Sequence, residues 1–274
     1  MPTLVLVSRA DAASLTIRDA LLATAAWEEV GRFQDAPVRR HGDFLMAETE
    51  TLHLHCDGID AQLRAAGFPH DTLLFASRHR AESGKPALTV HPIGNWGDAA
   101  LGGKPRAVSP AAPPAMGRIL RRLHAETKGI RHEATLEATH HGPHVETPAA
   151  FVEIGTDEAA WADADLGLRV ARAILASRTP GPGDDAPVLV ALGGPHYAPR
   201  VSDLVRKGKL NVGHVVPAYA LERGVDPATV LDAIRGTAGC QGYFALEKDA
   251  AALPADIKQV FAALELGWWR EGDL

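Results

Sequence analysis

Short apolar runs alternate with amphipathic segments along most of this chain. Runs of roughly four to eight apolar residues between turn-forming residues are typical of buried strands. They predict strands at Thr3–Ser8, Thr51–Cys56, Thr72–Ser77, Leu88–Ile93, Ala134–Thr139, Ala150–Gly155 and Pro187–Leu192. Helical spacing of apolar residues predicts helices at Ser14–Trp27, Met116–Lys128, Asp157–Ser177, Val201–Lys207, Pro227–Arg235 and Ala255–Leu266. Because strands alternate with helices, the pattern predicts an α/β fold with a central mixed, mostly parallel sheet flanked by helices.

Two segments rich in glycine and proline interrupt this pattern. Residues 102–115 are predicted to form a loop, and residues 179–185 a connector between elements. Since the connector is short, we expect residues 1–274 to form a single α/β domain. The acids after Thr156 predict that this residue caps the helix over Asp157–Ser177.

The composition is that of an ordinary globular protein, with 46% hydrophobic and 23% charged residues. A net charge of −6 excludes a uniformly basic nucleic-acid binder, although a local basic patch remains compatible with RNA contact. Residues 117–132 carry a net charge of +4, from Arg118, Arg121, Arg122, Lys128 and Arg131 against Glu126. That segment is either an RNA-contacting helix face or simply a solvated one.

Cysteine content and the N-terminus favour a reducing, cytoplasmic location. Cys56 and Cys240 lie far apart, so neither a disulfide scaffold nor a cysteine zinc knuckle is indicated. The chain begins directly with a predicted strand and shows no signal peptide, and no apolar run approaches the length of a membrane span. We therefore expect a protein without membrane contact.

Histidines cluster after one of the predicted strands, at His140, His141 and His144. Two adjacent histidines on a strand point to opposite faces, so packing alone does not account for both. Ligands of open α/β sheets bind beyond the carboxyl ends of strands, where four polar clusters that contain histidine are predicted. They are Ser77–Arg80, His91–Trp96, His140–His144 and Gly193–Tyr197, and a fifth cluster, Gly213–His214, precedes Val215–Pro217. Together they indicate an enzyme that uses imidazole or metal chemistry.

Each cluster taken alone has a structural alternative. His79 is equally explained as a solvated side chain, and His91 as a half-buried strand residue bonded to a carbonyl. Gly193 and Gly194 are typical of a tight turn, although their amides are also suited to an oxyanion. The chain lacks the HExxH, GxSxG, P-loop and GxGxxG motifs. The sequence therefore gives no support for a serine hydrolase or a nucleoside triphosphatase.

Four blocks of this sequence resemble one known family. They are the string Ser77–Asn95, Thr139–Pro143 followed by Phe151–Gly155 and Trp161, Gly193–Arg200, and Gly213–His214 with Pro217 and Tyr219. In this order they resemble the archaeal- and plant-type D-aminoacyl-tRNA deacylases over more than half of the chain. Two positions depart from the family pattern, His144 in place of a small hydroxyl residue and Pro195 in place of a third glycine.

The resemblance implies hydrolysis of the ester between a D-amino acid and the terminal ribose of tRNA, with zinc as cofactor. It also implies a fold similar to peptidyl-tRNA hydrolases and nucleoside phosphorylases. As zinc ligands we predict His140, His141, His91 and His214. Catalytic roles are predicted for His140, His141, His79, His196, Glu82 and Asn95, with Glu153 as an alternative to Glu82 for orienting an imidazole or acting as base.

The substrate contacts predicted from the resemblance fall into three groups. Arg78, Arg80, Lys85 and Arg200 are expected to bind phosphates of the tRNA 3′ end, and Trp96 or Tyr197 to stack on the terminal adenine. The amides of Gly193 and Gly194, with Asn95, are expected to hold the carbonyl oxygen. Residues 117–132 are expected to touch the acceptor stem. We expect no DNA partner and a monomeric protein.

Two other hypotheses remain open at the level of the sequence. The first is a small-molecule ester hydrolase or nucleoside phosphorylase-like enzyme on the same fold. The second is a non-catalytic protein that binds zinc or RNA, whose histidines would form a closed site with four protein ligands.

Overall fold

The computed structural model describes residues 1–80 and 84–274, which form two sheets, a short two-stranded ribbon and the helices around them. The strands are β1 (Thr3–Ser8), β2 (Glu28–Phe33), β3 (Ala36–His41), β4 (Phe44–Thr49), β5 (Thr72–His79), β6 (Ala87–His91), β7 (Gly94–Asn95), β8 (Ala107–Val108), β9 (Glu133–Leu136), β10 (Ala149–Gly155), β11 (Val188–Leu192), β12 (Asn211–Val216), β13 (Cys240–Phe244) and β14 (Gly267–Trp269). The helices are α1 (Ala12–Thr24), α2 (Ile59–Ala65), α3 (Pro113–Glu126), α4 (Glu158–Trp161), α5 (Ala164–Ala176), α6 (Pro199–Arg206), α7 (Ala218–Glu222), α8 (Pro227–Arg235), α9 (Glu247–Ala252) and α10 (Ala255–Ala262). Two short 3₁₀ helices lie at His53–His55 and Glu271–Asp273.

The large sheet has eight strands in the order β2-β3-β4-β1-β5-β10-β6-β9. Its centre, from β4 through β1 and β5 to β10, is parallel, whereas β2, β3 and the β10–β6 pair are antiparallel. The second sheet, β12-β11-β13-β14, is parallel throughout. The predicted α/β class with a mixed, mostly parallel sheet flanked by helices is confirmed. The second sheet was not predicted.

The two faces of the large sheet are buried by different elements. One face packs against α1, α3 and α5, which gives a core that includes Val5, Leu74 and Val152. The opposite face carries Leu6, Phe75 and Phe151 and is covered in part by α2. Because neighbouring residues of a strand alternate between faces, each central strand contributes to both cores and is apolar almost throughout.

Two predicted elements differ from the structure. Thr51–Cys56 was predicted as a strand but forms a 3₁₀ turn, because the buried His53 ring turns inward and its Nε2 lies 3.1 Å from the Leu6 carbonyl oxygen. The helix predicted over Asp157–Ser177 is interrupted, since Asp157 and Asp163 each accept amide hydrogen bonds as separate N-caps, and Thr156 is not the cap.

The region predicted as a loop over residues 102–115 also contains regular structure. Ala107–Val108 pairs with Gly94–Asn95, and α3 already begins at Pro113. Within the described ranges, none of the helices is both long enough and apolar enough to cross a membrane.

The arginines of α3 pair with acids of the protein. Arg118 and Arg121 form salt bridges with Asp184, at 2.9 and 3.4 Å, which hold α3 against the connector after α5. Arg122 pairs with Glu126 one turn along the helix. Lys128 and Arg131, in the same predicted basic segment, form no salt bridge within the described residues, so contact of residues 117–132 with an acceptor stem stays a prediction.

Candidate functional site

A cleft of about 760 Å³ opens on the Phe75–Phe151 face of the large sheet. Directly opposed residues of paired strands share a face, and the register pairs Phe75 with Phe151, Ser77 with Glu153, and His91 with Phe151. The fully buried Phe75 and Phe151 rings stack at 4.8 Å and form an apolar layer on this face, which we call the floor. On this face, the polar residues Ser77 and Glu153 therefore follow the two phenylalanines along β5 and β10.

Three imidazoles converge above that floor. His91 is the last residue of β6, and His140 and His141 lie a few residues after the end of β9. The potential ligand atoms of these three histidines lie within 4.8 Å of one another. Each ring has its Nδ1 close to a backbone carbonyl oxygen: His91 to Pro92 at 3.0 Å, His140 to Ala138 at 2.8 Å and His141 to Gly142 at 2.7 Å. A carbonyl only accepts, so Nδ1 donates in each case and Nε2 is left with its lone pair.

The positions of these rings are fixed by packing as well as by hydrogen bonds. The His91 ring stacks on Phe151 with the ring planes 3° apart, and the edge of His141 meets the same phenyl ring. His141 has a φ of +45°, a left-handed conformation that is uncommon for residues other than glycine. Such strain persists only where the surrounding structure imposes it, which is typical of functional sites.

Burial keeps two of the three imidazoles neutral. It lowers the pKa of His141 to about 3, helped by the neighbouring His91, and it lowers the pKa of His140 well below the usual histidine value. At His91, the carboxylates of Glu153 and Glu137 outweigh burial and raise the pKa. The site thus contains two uncharged imidazoles, His140 and His141, beside carboxylates that favour a positive charge on His91.

Glu137 is a site residue that the sequence analysis missed. Its side chain is fully buried, its Oε1 lies 3.0 Å from His79 Nδ1, and its Oε2 lies 3.6 Å from Nε2 of both His140 and His196. The signal was present, because Glu137 is a lone acid that extends a buried strand toward His140. It links the three imidazoles to His79 and His196.

His79 lies at the end of β5, between two acids and a phenol. Its Nδ1 is 3.0 Å from Glu137 and 3.5 Å from Glu153, and its Nε2 is 2.9 Å from the Tyr197 hydroxyl. Burial alone would lower the pKa of His79, but the hydrogen bond with Glu153 and the charges of both acids raise it to about 10. His79 is therefore an imidazolium at neutral pH in this arrangement.

The donor set fits a transition-metal ion. Neutral imidazoles whose other nitrogen is held by a carbonyl, with acids behind them, are the usual arrangement of metal-binding histidines. In addition, His91 Nε2 and Glu137 Oε2 are buried without a hydrogen-bond partner within residues 1–80 and 84–274, whereas Glu137 Oε1 pairs with His79. Buried polar atoms are rarely left unpaired, so a cation between them satisfies an otherwise costly arrangement.

Several predicted residues lie outside this cluster or already have partners. His214 was predicted as a ligand, but it lies in β12, buried beside Thr139 and Trp96, and belongs to no cluster of three potential ligands in the described chain. Asn95 donates from Nδ2 to the carbonyls of Gly102 and Lys104, which shapes a loop instead of holding a substrate oxygen. Glu82 falls outside the described residues.

Some of the predicted oxyanion and stacking groups are engaged in the fold. The Gly193 amide donates to the Val216 carbonyl at 2.8 Å. The Gly194 carbonyl oxygen accepts from the Ala218 amide, and the oxyanion role of the Gly194 amide stays a prediction. Trp96 is almost fully buried in the core of the second sheet. The Tyr197 hydroxyl, bonded to His79, is the group of this set that reaches the histidine cluster.

The cations predicted to bind phosphate differ in their availability. Arg80 pairs with Glu158 at 2.7 Å, Lys85 with Glu133 at 2.7 Å, and Arg200 with Asp203 and Glu271. Arg78 lines the cleft and lies over the ring of Trp161 at 5.4 Å. Within the described ranges Arg78 forms no salt bridge, so it is the most available of the four.

The fold and the cleft together define an α/β protein with a buried histidine and carboxylate site suited to a metal ion. The D-aminoacyl-tRNA deacylase family model matches residues 67–265. A D-aminoacyl-tRNA deacylase from Methanosarcina mazei is 34% identical over 98% of this chain and 92% of its own length. One from Thermoplasma acidophilum is 34% identical over 88% of each chain. The chain belongs to the D-aminoacyl-tRNA deacylase family, as its sequence blocks indicated.

A solved structure confirms the same fold. The crystal structure of a conserved protein of unknown function superposes with a TM-score of 0.88, at 30% identity, and covers 98% of this chain and 95% of its own. Almost the whole architecture, including the second sheet, is therefore shared between the two proteins.

Proposed function

We propose that this protein hydrolyses the ester between a D-amino acid and the terminal ribose of tRNA. The observation that carries this proposal is the convergence of His91, His140 and His141 with Glu137 beside an open cleft that His140 and His141 line, in a chain of the deacylase family. Ester hydrolysis needs an activated water, a stabilised oxyanion and a pocket that binds the acyl group. The cleft offers groups for each need.

Zinc is the ion that we propose for the three imidazoles. Three histidines that leave one position open are a familiar catalytic zinc environment, and the ion would supply an acidified water and polarise the ester carbonyl. Fixing Nδ1 of each ring on a carbonyl keeps Nε2 available, which is the role of the Pro92, Ala138 and Gly142 backbone. His214 is not part of this set.

Proton transfer falls to residues at the mouth of the cluster. His196 is about one-third exposed, and its ring lies 4.6 Å from that of His140, so it can exchange protons with a substrate and with solvent. The His79 imidazolium, held by Glu137 and Glu153, offsets one of the two negative charges of these acids beside the cluster. Tyr197 acts as a positioning residue, because its hydroxyl hydrogen-bonds to His79 and is not placed on a reacting atom.

The acyl group is proposed to occupy the apolar part of this cleft. Leu52, Leu54 and Leu101 line it opposite the imidazoles, which suits an amino-acid side chain. We further propose a cytoplasmic, monomeric enzyme whose residues 1–274 act as one α/β domain, without DNA or membrane partners. Its tRNA contact is proposed at the cleft, because the arginines of α3 are engaged with Asp184 and Glu126.

The test is deacylation of a D-aminoacyl-tRNA and its L-counterpart by the full chain, before and after chelation and after added zinc. We expect turnover of the D-ester, loss of turnover on chelation and its return with zinc. The variant His141→Ala should be inactive and should bind zinc at least about tenfold more weakly. His144→Ala is the matched control, because His144 lies on the same turn and belongs to none of the three-residue ligand clusters in residues 1–80 and 84–274.

Each other outcome contradicts a specific part of the proposal. D-selective turnover that is indifferent to chelation would retain the activity and remove the metal. Turnover of simple esters or nucleosides without D-aminoacyl-tRNA hydrolysis would favour a small-molecule enzyme. Zinc or RNA binding in folded protein without any turnover would favour a non-catalytic protein.

A further inference from the structure

A second cleft of about 560 Å³ adjoins the histidine site. It lies between the loop after β7 and the segment that contains α7, and Tyr219 and Arg223 line one wall. Tyr219 is 39% exposed, although large aromatic side chains usually bury more of their surface. The Arg223 guanidinium lies over the Tyr219 ring, 5.7 Å from its centroid. The wall thus presents a partly exposed aromatic ring with a cation over one of its faces.

The positive charges of this second cleft are available. Arg106 lines the opposite side, and neither Arg106 nor Arg223 forms a salt bridge within residues 1–80 and 84–274. Asp98 is the one acidic lining residue in the described chain. The histidine cleft, which is the cleft of about 760 Å³, is lined by Arg78 and Arg80 but also by the acids Asp11 and Glu153, which disfavour a phosphate next to them.

The two clefts meet at the reacting centre. His140 and Leu101 line both of them, so one molecule can extend from the second cleft across His140 into the histidine cleft. An aminoacyl ester has this form, since its acyl group and its nucleotide lie on opposite sides of the ester carbonyl. An exposed aromatic ring flanked by cations is the arrangement that binds single-stranded nucleic acid, by base stacking and phosphate pairing.

We propose that the second cleft binds the terminal adenosine of the tRNA 3′ end. The adenine stacks on Tyr219, and Arg106 and Arg223 pair with the phosphate on its 5′ side. The ester is then presented to His140, and the acyl group enters the histidine cleft. This inference rests on the proposed function, because the hydrolysed ester decides which end of the substrate faces His140. Binding of RNA to the second cleft is nevertheless measurable without hydrolysis.

The experiment compares two uncharged tRNAs, one ending in CCA and one that lacks the terminal adenosine. Binding is measured over a range of salt concentrations for the wild type and for Tyr219→Ala, Tyr219→Phe and Arg223→Ala. Arg40→Ala is the matched control, because Arg40 is exposed on β3, three strands from β5, and forms no salt bridge in the described ranges. Uncharged tRNA separates binding from ester hydrolysis.

We expect the wild type to prefer the CCA end by about fivefold or more, as one stacked base provides. Tyr219→Ala should abolish that preference, whereas Tyr219→Phe should keep it because stacking does not need the hydroxyl. Arg223→Ala should weaken binding of the CCA-ending tRNA and reduce its salt slope by about one, because the tRNA without the terminal adenosine also lacks the phosphate on its 5′ side. Arg40→Ala should change neither quantity.

Three results would overturn the inference: no preference of the wild type for the CCA end, a preference that survives in Tyr219→Ala, or equal salt slopes for Arg223→Ala and Arg40→Ala. The inference and the proposed function fail separately. A wild type that hydrolyses D-aminoacyl-tRNA but binds independently of Tyr219 refutes only the cleft. A Tyr219-dependent preference for CCA without any hydrolysis refutes only the proposed function.

Discussion

Phe151 packs both in the core of the fold and against the histidine site. Its replacement by leucine allows the effect on unfolding free energy to be compared with the effect on the geometry of the site. The ring is fully buried, stacks on Phe75 at 4.8 Å and on His91 at 5.1 Å, and meets the edge of His141 at 4.7 Å. Truncating a core phenylalanine to alanine costs about 3–5 kcal/mol, and leucine restores much of the lost volume. Since aromatic pairs contribute about 0.5–1.5 kcal/mol beyond burial, we expect Phe151→Leu to lose about 1–3 kcal/mol.

The effect on the site should exceed the effect on the fold. Without the flat ring, His91 and His141 lose the surface that orients them, and supporting residues of metal sites typically affect affinity by about 10- to 100-fold. Phe261→Leu is the matched control, because Phe261 is equally buried but packs on Tyr243 against the second sheet.

Urea unfolding and competitive zinc titration of both variants provide the assay. The two variants should lose similar unfolding free energy, and Phe151→Leu alone should bind zinc more weakly and deacylate more slowly. If both variants bind zinc equally well, Phe151 does not position the imidazoles and the geometric explanation of the site is incorrect.

Three further predictions concern groups around the same face. Asp60 Oδ2 accepts hydrogen bonds from Thr147 and Glu146 and pairs with Arg64; burial raises the pKa of Asp60, but these partners lower it overall. The unfolded chain therefore binds the Asp60 proton at higher pH than the folded chain does. In urea unfolding, Asp60→Asn should lose about 1–3 kcal/mol of unfolding free energy at pH 7 and less below about pH 4. A loss that does not depend on pH would contradict this explanation. Glu137→Gln should leave the thermal midpoint of the metal-free protein unchanged or higher, and it should reduce the rise in midpoint that zinc causes. If differential scanning fluorimetry shows the same zinc-induced rise as in the wild type, Glu137 does not support the metal site. Gly142→Ala places a Cβ 2.2 Å from the Gly103 nitrogen, so it should destabilise the protein by about 1–3 kcal/mol in urea unfolding and slow deacylation; wild-type stability would show that the loop can yield.

The sequence predicted the strands of the large-sheet centre well, because strands buried on both faces are continuous apolar runs. It missed β2 and β3, which lie at one edge and mix charged with apolar residues, and it also missed β4, although that strand is buried throughout. Thr51–Cys56 was predicted wrongly because its alternating leucines and histidines imitate a strand, whereas the structure buries His53 by a tertiary contact.

The candidate site shows the same dependence on tertiary contacts. His140 and His141 were predicted from their unusual density, and the structure brings them together with His91. His214 has comparable sequence features, but β12 belongs to the second sheet, and strand pairing decides which histidines meet. The prediction placed four of the five clusters beyond the carboxyl ends of strands in a mostly parallel sheet, whereas β6 runs antiparallel to β10 and brings His91 to the site from the opposite direction.

The polar residues of the central strands carry a signal that explains the position of the site. Polar side chains lie two residues apart in β5, at Ser77 and His79, and in β6, at Thr89 and His91. The register pairs Glu153 with both Ser77 and Thr89, so all five side chains lie on one face of the sheet. Burying such polar groups is costly unless they have partners, and a fold gains nothing from aligning them across three strands. The period of two, in strands that are otherwise apolar on both faces, therefore marks a surface that is retained for chemistry and not for packing.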